Sequence, residues 1–169
     1  GALAGLPAGD YAFVDGFAGE EPAALAFGLS AYRFSRYRTG DRKELPRLHL
    51  SDAAMLTRVQ RIVTAVAFVR DLVNTAANDM GPAELESAAT GLFAAHGGTS
   101  RVVLGGDLLS QNFPMIHAVG RAADATRAPR LIDCTWGDET HPKITLVGKG
   151  VVFDTGGLDI KPSSSMLLM

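Results

Sequence analysis

The stretch KITLVGKGVVFDTGGLDIKP, residues 143–162, is the most informative segment of this chain for its fold. It opens with a short apolar run, residues 144–147, of the kind that forms a strand covered on both faces. Glycines follow at once, and glycine lets a backbone turn sharply or approach a ligand. Because open α/β sheets bind ligands beyond the carboxyl ends of their strands, the stretch predicts an α/β fold with a site at one sheet edge.

Spacing excludes two phosphate-binding motifs in this loop. A P-loop needs a glycine five positions before its Gly-Lys pair and a hydroxyl residue after the lysine, but Lys143 and Gly150 occupy those places. A dinucleotide fingerprint that starts at Gly148 needs glycine or alanine where the chain has Phe153. Four charged side chains remain as candidates for chemistry, namely Lys149, Asp154, Asp159 and Lys161.

Lysine and aspartate in apolar surroundings suit either a metal site or a plain ion pair. Burial disfavours an ammonium group and lowers the pKa of a lysine, which can then act as a neutral nitrogen ligand or as a tuned acid. A carboxylate such as Asp154 is a natural oxygen ligand for a divalent cation. The alternative is a Lys–Asp pair that closes an exposed loop, and residue chemistry leaves both interpretations open.

Outward from this stretch, the pattern alternates between strands and helices. We predict strands over residues 101–104, 115–119, 130–136 and 143–147, and a short helix over residues 107–112. Turns rich in Gly, Pro and Asp separate them. This alternation predicts an α/β sheet of mixed or largely parallel order.

Helical periodicity dominates the part of the chain before residue 97. Residues 20–32 carry two acidic residues at the start and a proline suited to a first turn. Ser51 and Asp52 are capping residues for a long helix within residues 51–76. A further helix begins at Gly81-Pro82 and ends at the glycines that follow His96.

The basic stretch, residues 32–47, holds six Lys and Arg residues against two acids. Aromatic residues among arginines can stack bases, so a nucleic-acid-binding or other non-catalytic interaction module between Arg33 and Arg47 is the alternative function. In the other interpretation the aromatic residues anchor an extended segment that leads to a strand at 47–50, while the arginines stay solvated or pair with acids. The net charge of −2 and the pI near 6.1 favour the second interpretation.

Residues 147–162 resemble the signature of the leucine aminopeptidase family, the two-metal cytosolic aminopeptidases. That family has a strand ending in V-G-K-G, then F-D-[ST]-G-G and a lysine before proline or alanine. RDLVNT at residues 70–75, with Asn78 and Gly81-Pro82, is similar to its passage into the catalytic domain. YRF at residues 32–34 resembles its segment before the interdomain linker, so the agreement runs from about residue 23 to the last residue.

The resemblance implies roles for four residues. Lys149 would ligate the tighter-held metal, and Asp154 would contact both metals. Lys161 would polarise the substrate carbonyl, and Met169 would line the pocket for the first side chain of the substrate. The implied cofactors are two divalent metal ions, zinc or manganese, with bicarbonate in the complete enzyme. Paired cations can lower the pKa of a water, and a lysine adds positive charge where an oxyanion develops.

The resemblance also implies a domain organisation. Residues 1–50 would end an N-terminal domain, residues 51–76 would form a linker helix, and residues 77–169 would begin the catalytic domain. The family's remaining metal ligands and bicarbonate-binding arginine have no counterpart before Met169, and no initiating Met stands at Gly1. We therefore expect a chain truncated at both ends that is inactive alone.

The expected setting is a cytoplasmic homo-oligomer, a hexamer, that acts on peptides without membrane contact. We find no secretion signal and no membrane span in the sequence. One cysteine, Cys134, excludes an internal disulfide and fits a reducing compartment. The four histidines lack metal-ligand spacing, so we predict surface or structural roles for His49, His96, His117 and His141.

Overall fold

The structure is a computed structural model that describes residues 5–14, 17–40, 44–153 and 160–166. The chain divides into two compact units, residues 1–75 and residues 76–169. The mixed α/β class is confirmed, since helices alternate with one parallel and one antiparallel pair of strands. Among the described residues, no helix combines the length and the apolar character that crossing a membrane requires.

The described residues of the first unit form two helices and two short strands. The helices are α1 (Glu20–Ala31) and α2 (Ala53–Asn74), and the strands are β1 (Asp10–Ala12) and β2 (Arg47–His49). The strands run parallel, with Asp10 opposite Arg47 and Ala12 opposite His49. The Asp10 carboxylate lies 2.8 Å from His49 Nε2 and 3.0 Å from Arg47 Nε. The hydrogen bond with His49 is the largest cause of the lowered pKa of Asp10, and the contacts with Arg47 lower it further.

Helix α2 has 22 residues and is about 33 Å long. Its predicted cap is confirmed: Asp52 Oδ1 accepts hydrogen bonds from the N–H groups of Ala54 at 2.8 Å and Met55 at 3.1 Å. These bonds lower the pKa of Asp52, because they stabilise its charged form. The side chain therefore satisfies backbone donors that the first helical turn leaves without a partner.

Helices α1 and α2 approach closely at a glycine. A Cβ atom on Gly28 would lie 2.6 Å from Cγ2 of Val63, so only glycine lets the two backbones reach this separation. Ala24 on α1 and Val59 on α2 are buried. An ion pair between Arg58 and Glu21, with an N···O distance of 2.8 Å, joins the same helices at their exposed side.

A second contact joins the helix ends, where the basic stretch begins. The Tyr32 hydroxyl donates to Asp71 Oδ1 at 2.7 Å and accepts from Asn74 Nδ2 at 3.1 Å. Arg70 lies over the Tyr32 ring and donates to the Leu29 carbonyl at 2.6 Å, which satisfies a carbonyl in the last turn of α1. The two motifs noted in the sequence, at residues 32–34 and 70–75, are thus in direct contact.

Three arginines of the basic stretch make contacts within the first unit. Arg33 Nη1 donates to the carbonyls of Ser30 at 2.7 Å and Tyr32 at 2.8 Å. Arg36 lies over the Tyr37 ring, 5.9 Å from its centroid, and Arg47 pairs with Asp10. Arg42 and Lys43 lie outside the described residues.

The second unit is built around one antiparallel strand pair. Strands β3 (Thr99–Leu104) and β4 (Arg130–Thr135) pair from Thr99 opposite Thr135 to Leu104 opposite Arg130. Val103 on β3 and Leu108 in the following helix are buried. The helices are α3 (Pro82–Ala95), α4 (Asp107–Ser110), α5 (Pro114–Gly120) and α6 (Ser163–Met166), with a 3-10 turn at Ala125–Arg127.

The predicted strand over residues 115–119 is wrong, because this segment belongs to helix α5. Met115, His117 and Val119 alternate as strand residues do, but Pro114 suits the first position of a helix. Met115 and Val119 then fall four positions apart on one helical face. Both side chains are largely exposed, so no buried sheet face favours a strand at this position.

The predicted strand over residues 143–147 is also wrong in this structure, which has irregular backbone there. A strand needs a neighbour for its backbone hydrogen bonds. Strands β3 and β4 pair only with each other among the described residues, so residues 143–147 gain no such partner. The strands predicted over 101–104 and 130–136 are confirmed within one or two residues, as is the helix over 107–112.

Candidate active site

The sequence-predicted site residues lie in two described segments on either side of a gap. Lys149 stands on exposed backbone, within a segment exposed throughout residues 141–150. Lys161 is half-buried and directly precedes Pro162 and the short helix α6. Asp154 and Met169, the predicted metal ligand and pocket residue, lie outside the described residues, as does Asp159.

The apolar shell expected around Lys149 is not formed by the residues that precede it. Ile144, Leu146 and Val147 are 85%, 91% and 93% exposed. The prediction of a buried approach to the site is therefore wrong in this structure, and for the same physical reason as the missing strand. Without a neighbouring strand, nothing among the described residues covers these side chains.

Gly150 brings the segment against the first turn of helix α3. A Cβ atom on Gly150 would overlap the Leu85 side chain, so the glycine lets the backbone pass close to the helix. Leu85 itself is fixed in the first turn, where its N–H donates to the Gly81 carbonyl at 3.0 Å. Helix α3 thus lies against the loop that carries Lys149, at Gly150.

Arg127 and Glu84 together anchor the start of α3. Arg127 donates through Nη1 to the Ala77 carbonyl and through Nη2 to the Asn78 carbonyl, both at 2.8 Å. Glu84 Oε2 accepts from the Gly81 N–H at 2.8 Å. A Cβ atom on Gly81 would lie 2.7 Å from Arg127 Nη1. Hydrogen bonds from the N–H groups of Glu84 itself and of Gly81 lower the pKa of the Glu84 carboxyl.

A half-buried ion pair ties α3 to strand β4. Arg130 Nη1 contacts Glu86 Oε2, and the two side chains are 10% and 29% exposed. The sequence predicts the start of this helix at Gly81-Pro82 but gives no sign of either arginine contact. Arg127 lies 50 residues from Ala77, and Arg130 lies 44 residues from Glu86, so no local pattern reports either contact.

The donor chemistry of the candidate site fits a divalent cation in part. Lys149 and Asp154 offer an amine nitrogen and a carboxylate oxygen, both of which bind first-row divalent metals. A zinc ion in a protein takes about four ligands, so these two residues would supply about half of one shell. Within the described part of the chain, no group of three His, Cys, Asp or Glu side chains is arranged to hold a metal.

The family model for the catalytic domain of the cytosol aminopeptidase family matches residues 67–169. A probable cytosol aminopeptidase from Brucella anthropi is 37% identical over 88% of the chain and 33% of its own length. The crystal structure of cytosol aminopeptidase from Coxiella burnetii has a TM-score of 0.88 at 45% identity, over 97% of this chain and 36% of that one. The bottromycin maturation enzyme BotP, in complex with Mn, has a TM-score of 0.70 at 29% identity, over 85% and 30%.

These similarities cover most of this chain but a limited part of each relative. The chain spans about a third of the length of the curated relatives that it matches. The family model covers more than half of the chain, from the last turns of α2 onward, and includes both lysines of the candidate site. The chain therefore belongs to the cytosol aminopeptidase family.

Proposed function

We propose that this chain supplies the opening part of the active site of a metal-dependent aminopeptidase. The whole protein would release N-terminal residues from peptides, with a preference for leucine and similar apolar residues. The reaction class is metal-assisted hydrolysis by a water that two divalent cations activate. The observation that carries the proposal is the match of the family's catalytic domain to residues 67–169, the range that holds Lys149, Asp154 and Lys161.

Each candidate residue has a role that its chemistry allows. Lys149 and Asp154 would hold the metal ions, zinc or manganese, which when bound polarise the scissile carbonyl and activate water. Lys161 would place a positive charge beside the carbonyl oxygen as negative charge develops there. Met169 would contact the first side chain of the substrate, since a flexible thioether suits an apolar pocket.

The domain organisation that we propose has three parts. Residues 1–50 end an N-terminal domain, residues 51–76 form a linker helix, and residues 77–169 begin the catalytic domain. Helix α2, which ends at Asn74, supports the second part, and the boundary between the two compact units after Thr75 lies close to the start of the third. We further propose a cytoplasmic hexamer that binds bicarbonate when complete.

A chimera tests the roles of the two lysines. Residues 67–169 replace the corresponding segment of the Coxiella burnetii cytosol aminopeptidase, and hydrolysis of leucine p-nitroanilide is measured with Mn²⁺ or Zn²⁺. We expect Lys161→Gln to lower kcat by about 10²–10³-fold, the loss typical of removing one group that stabilises an oxyanion. Lys149→Met should weaken metal binding by more than about tenfold. Substituting a residue that only orients a metal ligand already costs about tenfold, and Lys149 would be a ligand itself.

Lys143→Gln is the matched control for both substitutions. Lys143 is an exposed lysine six positions before Lys149, and the proposal gives it no role. Its replacement should leave kcat and metal affinity unchanged. Wild-type activity in folded Lys149→Met and Lys161→Gln chimeras would contradict the proposed roles.

A further inference from the structure

The first unit contains a cleft that the proposed peptidase chemistry does not use. The cleft is largely open to solvent and has a volume of about 450 Å³. It opens along the basic stretch and the end of helix α2. Its walls are Tyr32, Arg33, Phe34, Tyr37, Arg38 and Asn74.

Two of its walls are held in place by hydrogen bonds. The Tyr32 hydroxyl is fixed between Asp71 Oδ1 at 2.7 Å and Asn74 Nδ2 at 3.1 Å. Arg33 is fixed by the carbonyls of Ser30 and Tyr32. Side chains that folding has already ordered cost less conformational entropy when a ligand binds, so this part of the cleft is preorganised.

The cleft also presents aromatic rings. The rings of Phe34 and Tyr37 meet edge to face, with centroids 5.7 Å apart and planes inclined at 66°. Arg36 lies over the Tyr37 ring, yet the Tyr37 residue is 51% exposed. An exposed ring in such a setting can stack on a planar ligand, as aromatic residues do on nucleobases.

Two arginines, Arg33 and Arg38, line the cleft. Arg38 is exposed, and none of the hydrogen bonds or ion pairs among the described residues engages its guanidinium. Arg33 lines the same cleft. The nearby carboxylate of Asp71 accepts a hydrogen bond from the Tyr32 hydroxyl. Guanidinium groups bind phosphate oxygens through two parallel N–H bonds, so this cleft suits one phosphate.

The size of the positive region decides between a nucleic-acid strand and a small molecule. A strand needs a row of phosphate contacts, but Arg47 is paired with Asp10 and the chain carries a net charge of −2. One phosphate needs only one or two guanidiniums, which Arg33 and Arg38 provide. We propose that this cleft binds a small aromatic phosphate of the size of a nucleoside monophosphate, with the ring against Tyr37 and the phosphate at Arg38.

The test is a titration of the 169-residue chain with AMP, followed by ¹H–¹⁵N NMR. We expect saturable shifts at the cleft residues with a Kd at or below about 1 mM, near the weak end of specific binding. Adenosine and inorganic phosphate should each bind at least about tenfold more weakly, because each lacks either the charged bonds or the stacked ring. No saturable shift with AMP, or equally tight binding of inorganic phosphate, would overturn the proposal.

Variants locate the binding site. Arg38→Gln and Tyr37→Leu, at exposed positions, should each weaken AMP binding by about tenfold or more. Arg61→Gln, at an exposed arginine of α2 away from the cleft lining, is the matched control and should bind AMP as the parent chain does. Thermal melting checks that each variant is folded. Unchanged affinity in both cleft variants, or tighter binding of a single-stranded oligonucleotide than of AMP, would contradict the assignment.

Discussion

At the residue scale, single charged side chains organise the starts of helices α2 and α3. Asp52 and Glu84 each accept backbone N–H groups in a first turn, and both lie where the sequence predicts a helix to begin. Arg127 likewise satisfies backbone groups, the carbonyls of Ala77 and Asn78 in the turn before α3, but these partners are about 50 residues away in the sequence. Local sequence therefore predicts the caps, whereas the Arg127 contact depends on how the 3-10 turn at Ala125–Arg127 packs beside the start of α3.

Glu84 gives the start of α3 a dependence on pH. Its folded-state pKa lies below the ordinary value of 4.5, so its charged form stabilises the fold above that pH. This contribution is lost as the pH falls through the lowered folded-state pKa. We expect Glu84→Gln to be less stable than the parent chain at neutral pH and to lose less stability on acidification.

Urea unfolding midpoints at neutral pH and in acid check this expectation. Glu84→Asp is the matched control for charge, because it keeps a carboxylate on a side chain one methylene shorter. It should resemble Glu84→Gln if reach to the Gly81 N–H matters. An acid-induced loss of stability in Glu84→Gln as large as that of the parent chain would contradict this role.

At the scale of elements, the sequence predicts helices better than strands. Residues 20–32, 51–76 and 82–96 carry helical periodicity and end signals, and α1, α2 and α3 lie there. The apolar run at 143–147 has the composition of a strand but no described neighbour to pair with. Strand formation depends on a partner that local sequence does not specify, whereas a helix closes its own hydrogen bonds.

Two helical glycines should respond oppositely to alanine. Gly28→Ala should destabilise the first unit by about 1–3 kcal/mol, because the new methyl group meets the stiff Val63 side chain. At Gly91, on α3, no atom beyond its own helical backbone lies within 4 Å of the position that a methyl group would take among the described residues. Gly91→Ala should therefore stabilise the chain by up to about 1 kcal/mol. Chemical unfolding of both variants measures the difference.

The double variant Gly28→Ala with Val63→Ala separates overlap from other effects of the glycine. Removing the two Val63 methyl groups should recover part of the loss, so the two substitutions should be non-additive. Additive losses, or a Gly28→Ala chain as stable as the parent, would contradict close contact of α1 and α2 at this point.

At the scale of the whole molecule, the chain matches the family's catalytic-domain model over residues 67–169 and spans about a third of the length of its relatives. The motif at residues 147–162 predicts the family, which the comparisons confirm, because its chemistry is local. The exposure of the residues before Lys149 could not be predicted in the same way. Burying them would require residues on neighbouring strands, and the apolar side chains of Ile144, Leu146 and Val147 are exposed instead.

The chain alone should therefore bind divalent metal weakly and show no turnover. In the proposed roles, Lys149 and Asp154 would supply about half of one coordination shell, and the described residues contain no group of three His, Cys, Asp or Glu side chains that could hold a metal. The same segment should become competent when the rest of a catalytic domain surrounds it.

Hydrolysis of leucine p-nitroanilide, measured side by side for the 169-residue chain and for the chimera with the Coxiella burnetii enzyme, distinguishes a partial site from a complete one. With Mn²⁺ or Zn²⁺ in excess, we predict turnover by the chimera and none by the chain alone. A folded, metal-loaded chimera without activity would contradict the assignment of residues 67–169 to an aminopeptidase active site. Robust turnover by the isolated chain would contradict the claim that it carries only part of that site.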